Sequence, residues 1–349
     1  MDQVKTKEKL VLVGNGMAGV RTLEELLKIA PDLYEITVFG SEPYGNYNRI
    51  LLSPVLAGEK KIDEVMLNDE QWYADNGIKL YKGKEVVEIN RSKRQVMAND
   101  STVATYDRLL LATGSLSIII PLPGHDLEGV VSFRNIEDVN RMLEISAKFK
   151  QAVVIGGGLL GLEAANGLMQ QGMTVTVVHL MDTLMERQLD KTAGALLKQS
   201  LEKRGLRFLM STATERLLGK DRVAGVRFKD GTEIPADMVV MAVGIRPNIA
   251  LAHKENIYCD RGIVVNDTLQ TFDPRVYAVG ECVQHRNQVY GLVAPLFTQA
   301  KVCANHLAQL GYSRYEGSIS FTKLKVTGID LFSAGEFVGD ASTEEMVMK

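Results

Sequence analysis

Two six-residue segments hold the residues best suited to chemistry. Gly14-Asn15-Gly16-Met17-Ala18-Gly19 and Gly156-Gly157-Gly158-Leu159-Leu160-Gly161 both carry glycine at the first, third and sixth positions. In such a loop the first glycine permits a tight turn. The second lets backbone N–H groups approach a pyrophosphate, and the third lets a helix pack closely on a strand. If the loop opens a helix, the helix N-terminus adds partial positive charge toward the phosphates. Each segment is therefore suited to holding one dinucleotide. Glu42 follows the next β-rich run and is placed to accept hydrogen bonds from ribose hydroxyls. The matching place in the second repeat reads Val178-His179-Leu180, with Asp182 nearby but off register. A carboxylate there would favour an unmodified ribose and repel a 2′-phosphate. His179 cannot repel one and attracts it when protonated, or it closes the strand and meets the adenosine as a neutral ring. The nicotinamide preference stays open on these residues.

The elements that must position these loops are visible on either side of them. Leu10-Val11-Leu12-Val13 and Ala152-Val153-Val154-Ile155 are short apolar runs leading into the glycines. Runs of this kind belong in a parallel sheet covered on both faces. Val20, Leu23, Leu26 and Leu27 follow the first loop, and Leu162, Ala165, Leu168 and Met169 the second, at helical spacing. Glu35–Phe39 and Thr174–Val178 then read as strands, so a strand–helix–strand unit occurs twice. Short strands are expected within residues 77–89 and 95–103. Arg108–Ala112, Met238–Val243 and Val276–Val279 are expected as buried strands, each followed closely by glycine. Pro121, Pro123 and Gly124 mark a crossover. From about residue 312 the character changes, with strand-like runs such as Ser318–Thr322 and a polar tail.

Bulk properties exclude several classes. A chain of 349 residues is too long for one ordinary core, so two to three domains are expected. A net charge of −3 offers nucleic acid no attraction, and no block of like charge suggests a membrane surface. The first nine residues lack the pattern of a signal peptide. No apolar run approaches the roughly 20 residues that span a bilayer. The three cysteines, Cys259, Cys282 and Cys303, contain no CxxC spacing. That argues against a disulfide framework, a local iron–sulfur site and a redox dithiol, and fits reduced thiols in a cytoplasmic protein.

The two glycine loops, Leu111-Ala112-Thr113-Gly114, Gly244-Ile245-Arg246-Pro247 and Tyr277-Ala278-Val279-Gly280-Glu281 together resemble the pyridine nucleotide–disulfide reductase superfamily. The resemblance covers residues from about 8 to 311. It implies an α/β chain with two Rossmann-like dinucleotide-binding domains, the glutathione-reductase-like FAD/NAD(P) fold. Residues 1–120 and 245–311 would form a discontinuous FAD domain, with an NAD(P)H domain at 121–244 inserted in it. Residues 312–349 would begin a truncated third domain or form a tail. FAD would be held at Gly14, Gly16, Met17, Ala18 and Gly19, with Glu42 on the ribose. Arg49, Ser53 and Val86 are further FAD positions, as are Ala112, Thr113 and Gly114. Gly280 and Glu281 meet the flavin's ribityl chain, with Glu281 standing where most relatives have Asp. Arg134 matches a position that contacts the FAD pyrophosphate; a surface ion pair with Glu137 or Asp138 is its other reading. NAD(P)H would be held at Gly156, Gly158, Leu159, Leu160, Gly161, Glu163, His179 and Gly244. No metal site is implied.

A narrower resemblance is to the N-terminal module of the NAD(P)H-dependent nitrite reductase large subunit. It rests on Tyr47-Asn48-Arg49-Ile50-Leu51-Leu52-Ser53, the second glycine loop continued through Leu162-Glu163-Ala164-Ala165, Leu184-Met185-Glu186-Arg187-Gln188-Leu189-Asp190, Val279-Gly280-Glu281-Cys282 and Gly291-Leu292-Val293-Ala294-Pro295. That module implies hydride transfer from nicotinamide C4 to flavin N5, then electron flow to iron–sulfur and siroheme domains. This sequence carries no cysteine cluster for such centres. It is then a fragment of a longer enzyme or a reductase with a separate protein acceptor. A dimer is compatible with either.

No protein nucleophile is needed for that chemistry. Disulfide reductases need a cysteine pair near the flavin, and peroxidase-type relatives need one cysteine at about residues 41–50, where this chain has none. Ferredoxin and rubredoxin reductases usually carry a Lys after the Leu-Ser pair; here it is Pro54. Glu163 would then lack that partner, and either orients the nicotinamide and titrates near the flavin or pairs inside its own domain. The competing functions are a ferredoxin or rubredoxin reductase acting on a separate small iron protein, and a redox-responsive nucleotide-binding protein with slow turnover.

Overall fold

The computed structural model describes residues 7–319, 321–324, 326, 328–335 and 344. It divides into two compact units: Met1–Asn48, Met66–Leu116 and Arg246–Ile319 in the first, and Arg49–Val65, Ser117–Ile245 and Ser320–Lys349 in the second. The second unit therefore takes in Arg49–Val65, which the sequence reading had placed with the first glycine loop. Part of the 312–349 segment lies outside the described residues. Its described portion includes a strand at Phe321–Lys323, paired antiparallel with Phe332–Ala334.

In the first unit Glu8–Val13 lies at the middle of a five-stranded parallel sheet. Tyr34–Phe39 and then Lys79–Tyr81 lie on one side, Arg108–Leu111 and then Val276–Ala278 on the other. Leu10, Leu12, Leu109, Leu110 and Leu111 are wholly buried. Burying a side chain of this size stabilises by about 1.5–3 kcal/mol. The helix Met17–Ile29 lays Ala18, Leu23 and Leu26 against this core. It stops at Ala30, whose N–H still donates to the Leu26 carbonyl. A three-stranded antiparallel sheet, Val86–Asn90, Gln95–Ala98 and Val103–Thr105, lies over the segments where short strands are expected within 77–89 and 95–103, with Val103–Thr105 as an additional strand.

The second unit repeats this plan. Gln151–Ile155 is the central strand of a parallel sheet flanked by Thr174–Val178 and Arg207–Leu209 on one side and Met238–Met241 and Val130–Val131 on the other. An antiparallel sheet of Thr214–Gly219, Val223–Phe228 and Glu233–Pro235 accompanies it. The helix Leu159–Gln170 is buried from Gly161 through Leu168, with the polar Glu163 and Asn166 among the buried residues. Among the described residues no helix is long and apolar enough to cross a membrane.

Candidate functional site

In the first unit, backbone hydrogen bonds bring three strand ends together at the glycine loop. Gly14 N–H donates to the Phe39 carbonyl (2.8 Å) and Ala112 N–H to the Val13 carbonyl (2.8 Å). The turn at Gly14 must therefore pass directly over Ala112. Gly14 has φ +109°, and a Cβ there would sit 2.2 Å from the Ala112 carbonyl oxygen. A Cβ on Gly19 would lie 2.9 Å from both the Ala112 Cβ and the Gly14 carbonyl oxygen. Gly16 differs: its φ is −87°, and a Cβ would meet nothing within 4 Å. The fold needs Gly14 and Gly19. Gly16 keeps open a space above Met17 and Ala18, at a helix start that has no side-chain cap. Room for a group and main-chain donors aimed into it fit a pyrophosphate.

Of the remaining first-unit positions, Gly280 adjoins that cradle. Gly280 has φ +93° and would set a Cβ 3.0 Å from the Ala18 Cβ. Glu281 accepts a hydrogen bond from the Ser115 hydroxyl (2.8 Å), and Thr113 donates to the Asn248 carbonyl (2.7 Å). Gly114, at φ +67°, accepts from the Asn248 N–H (2.9 Å). Glu42 accepts from the Tyr47 hydroxyl (2.7 Å). Val86 stands apart, its side chain buried in the hydrophobic core, which leaves its main chain to make any contact.

The second unit builds the same cradle from different residues. Gly156 N–H donates to the Val178 carbonyl (2.8 Å) and Ala242 N–H to the Ile155 carbonyl (2.9 Å). Gly156 has φ +121°, and a Cβ would lie 2.3 Å from the Ala242 carbonyl oxygen. On Gly161 a Cβ would lie 2.0 Å from the Gly156 carbonyl oxygen, whereas on Gly158 it would meet nothing within 4 Å. The helix beginning at Leu159 and Leu160 has no side-chain cap. By contrast Ile136–Lys148 has an Asn135/Asp138 capping box, and Lys191–Glu202 is capped by Asp190. Gly244, at φ +123°, accepts from the Ile118 N–H (3.0 Å).

Four predicted positions have surroundings that the sequence did not suggest. Glu163 is buried, yet the Ser53 hydroxyl donates to its carboxylate. Ser53, beside Pro54, is thus a neutral hydrogen-bond partner of Glu163 where a Lys would have been a charged one. Arg49 donates to the Arg134 carbonyl (3.0 Å), which joins two predicted flavin contacts within the second unit. Asp138 accepts from the Ser132 hydroxyl (2.9 Å) and from the Arg134 main-chain N–H (2.7 Å). His179 is buried. Its Nδ1 accepts from the Gly157 N–H (3.1 Å), while Nε2 faces the Thr183 carbonyl (3.1 Å) and the Glu186 carboxylate (3.1 Å). Both ring nitrogens are thus engaged, one of them with the glycine loop itself.

The cysteines are unsuited to thiolate chemistry. Cys282 and Cys303 are fully buried, and burial pushes both thiols up from their ordinary value. Burial, with the nearby Cys282 adding to it, pushes Cys259 up to about 11. Among the described residues no cluster of His, Cys, Asp or Glu could hold a metal ion.

The sequence reading missed two residues that tie the first cradle together. Gln299, wholly buried on the helix Val293–Leu307, accepts the Gly280 N–H (2.9 Å). A glutamine among Val, Ala, Leu and Cys on an apolar helix was the signal that could have found it. Asn15 accepts from the buried Tyr73 hydroxyl (2.7 Å). Nothing local in the sequence announces that contact.

Comparison with known proteins agrees with this geometry. The family profile described as pyridine nucleotide-disulphide oxidoreductase matches residues 8–301. A nitrite reductase [NAD(P)H] of Bacillus subtilis (strain 168) is 54% identical over 98% of this chain and 42% of its own length. The assimilatory nitrate reductase electron transfer subunit of the same organism is 48% identical over 97% of this chain and 44% of its own. The chain thus spans less than half of these two curated relatives. The covalent putidaredoxin reductase–putidaredoxin complex superposes with a TM-score of 0.87 at 28% identity, covering 95% of this chain and 82% of that one. The chain belongs to the pyridine nucleotide–disulphide oxidoreductase family, whose members use FAD and NAD(P)H.

Proposed function

We propose that the chain is the NAD(P)H-oxidising, FAD-containing module of a nitrite-reductase-type electron-transfer system. In this reading the first unit holds FAD and the second holds NAD(P)H. The observation that carries it is the repeated cradle: two units of one topology, each with an open middle glycine at an uncapped helix start. Gly14 through Gly19 hold the FAD pyrophosphate and Glu42 its ribose. Thr113, Gly114, Gly280 and Glu281 line the route of the ribityl chain. Gly156 through Gly161 hold the nicotinamide dinucleotide's pyrophosphate.

When bound, the flavin supplies two-electron hydride acceptance from the nicotinamide and release of electrons to a metal centre. The protein's task is to orient and to exclude. Glu163, fixed by the Ser53 hydroxyl, is a carboxylate of set direction that can accept from the nicotinamide carboxamide. The raised thiols keep the chain itself out of the electron path. The acceptor in this reading would be an iron–sulfur or siroheme centre, and among the described residues no side-chain cluster could hold a metal ion. The similarity to a nitrite reductase [NAD(P)H] and to a nitrate reductase electron transfer subunit of Bacillus subtilis supports an electron-transfer role.

A second reading has one specific support. The reductase in complex with putidaredoxin matches nearly the whole chain, so delivery to a separate small redox protein is the alternative. The test is steady-state turnover of the purified protein with a one-electron acceptor dye, with nitrite offered in parallel. The proposal expects NAD(P)H-dependent dye reduction and no nitrite consumption by this chain alone. Nitrite reduction by the isolated chain would overturn it, as would failure to reduce any acceptor.

A further inference from the structure

We infer that Glu186, held in place by His179, is the carboxylate that selects NADH over NADPH at the second glycine loop. This rests on the reading that the loop binds a nicotinamide dinucleotide.

In a strand–glycine loop–helix–strand unit, the group that meets the adenosine ribose stands where the second strand ends. Here that strand ends at Val178 and the next residue is His179. The His179 ring lies against the middle of the glycine loop, for a Cβ on Gly157 would sit 2.8 Å from its Cγ. A backbone N–H can only donate, so the Gly157 bond makes Nδ1 an acceptor and leaves the proton of the neutral ring on Nε2. That proton points to the Thr183 carbonyl and the Glu186 carboxylate, each 3.1 Å away. Met185 N–H donates to the Gly157 carbonyl (3.0 Å), so the segment carrying Glu186 is also clamped to the loop by its main chain. The acid missing from position 179 is thus restored in space by a residue seven positions later. Glu186 keeps a third of its side chain exposed, so the carboxylate is not sealed from a ligand.

The other charges nearby do not replace it. Asp182 is exposed and spent on Lys191 (2.9 Å) and on the Thr183 hydroxyl (2.9 Å). Arg187 is exposed and, among the described residues, makes no contact with the glycine loop through the hydrogen bonds that hold this segment. A carboxylate can accept from a ribose 2′-hydroxyl, and it repels the two negative charges of a 2′-phosphate.

The test is equilibrium calorimetry of the FAD-loaded protein with NAD⁺ and with NADP⁺, neither of which turns over. The wild-type protein is expected to bind NAD⁺ at least about ten-fold more tightly. E186Q should narrow the ratio about ten-fold by improving NADP⁺, and E186R should bring NADP⁺ level or ahead. R187Q should leave the ratio within about two-fold. Equal or tighter NADP⁺ binding by the wild type overturns the inference without any variant, as does an E186Q ratio equal to wild type. In those outcomes the dinucleotide site stands. Failure of both nucleotides to bind would overturn the reading of the second loop and this inference with it.

Discussion

The two kinds of glycine in each loop make opposite predictions under one substitution. Gly14→Ala places a Cβ 2.2 Å from the Ala112 carbonyl oxygen in a backbone at φ +109°. The left-handed conformation alone costs a non-glycine residue of order 1–3 kcal/mol, and the backbone contact cannot be relieved by turning a side chain. Gly14→Ala should therefore destabilise the apoprotein by about 3 kcal/mol or more. Gly16→Ala has φ −87° and open space, so the apoprotein should stay within about 0.5 kcal/mol of wild type. The same methyl would stand where phosphate oxygens must approach the first turn of the helix. Loss of one charged hydrogen bond of about 1.5–3 kcal/mol lowers FAD affinity by roughly ten- to a hundred-fold. Urea unfolding of the two apoproteins and equilibrium dialysis of FAD measure the two quantities separately. If Gly16→Ala bound FAD like wild type, or destabilised the apoprotein as Gly14→Ala does, the division into folding and binding glycines would be refuted.

Glu163→Gln should slow flavin bleaching by NAD(P)H about ten-fold or more with little change in melting temperature, checked by anaerobic stopped flow; an unchanged rate would remove Glu163 from the site. Iodoacetamide at neutral pH should leave dye-reductase activity intact, since burial keeps all three thiols protonated; inactivation in step with labelling would argue for a thiol role. Asp267 is held down to about 2 by the Arg286 guanidinium and then by His285. A depressed carboxylate stabilises above its unfolded value near 4 and loses that contribution as pH falls toward 2. Asp267→Asn should therefore flatten the acid limb of a stability-against-pH curve, and an unaltered limb would contradict the assignment.

The strand–loop–helix units were legible because apolar runs and glycine spacing are local signals. Gly14, Gly16 and Gly19, with their partners Gly156, Gly158 and Gly161, are separated by fixed numbers of residues, and the structure places them as that spacing implies. Ser53 and Glu163 are 110 positions apart, and only the fold brings them together. The same is true of Gln299 beneath Gly280 and of Glu186 beside His179. The sequence reading sought an acid at one register position after the second strand. The chain instead loops back and sets Glu186 beside His179, which no periodicity encodes. The assignment of Arg49–Val65 also depended on contacts, since its helix Leu52–Leu56 packs against Gly167, where an added Cβ would lie 2.7 Å from Leu56 Cγ.

The central claim is that two dinucleotides bind this chain and exchange a hydride. The most direct measurement is an anaerobic absorption titration of the purified FAD-loaded protein with NADH and NADPH in parallel. The account predicts an oxidised flavin band that bleaches at about one equivalent of NADH. A flavin band that neither nucleotide bleaches would contradict it, leaving a chain that binds nucleotides without passing electrons between them.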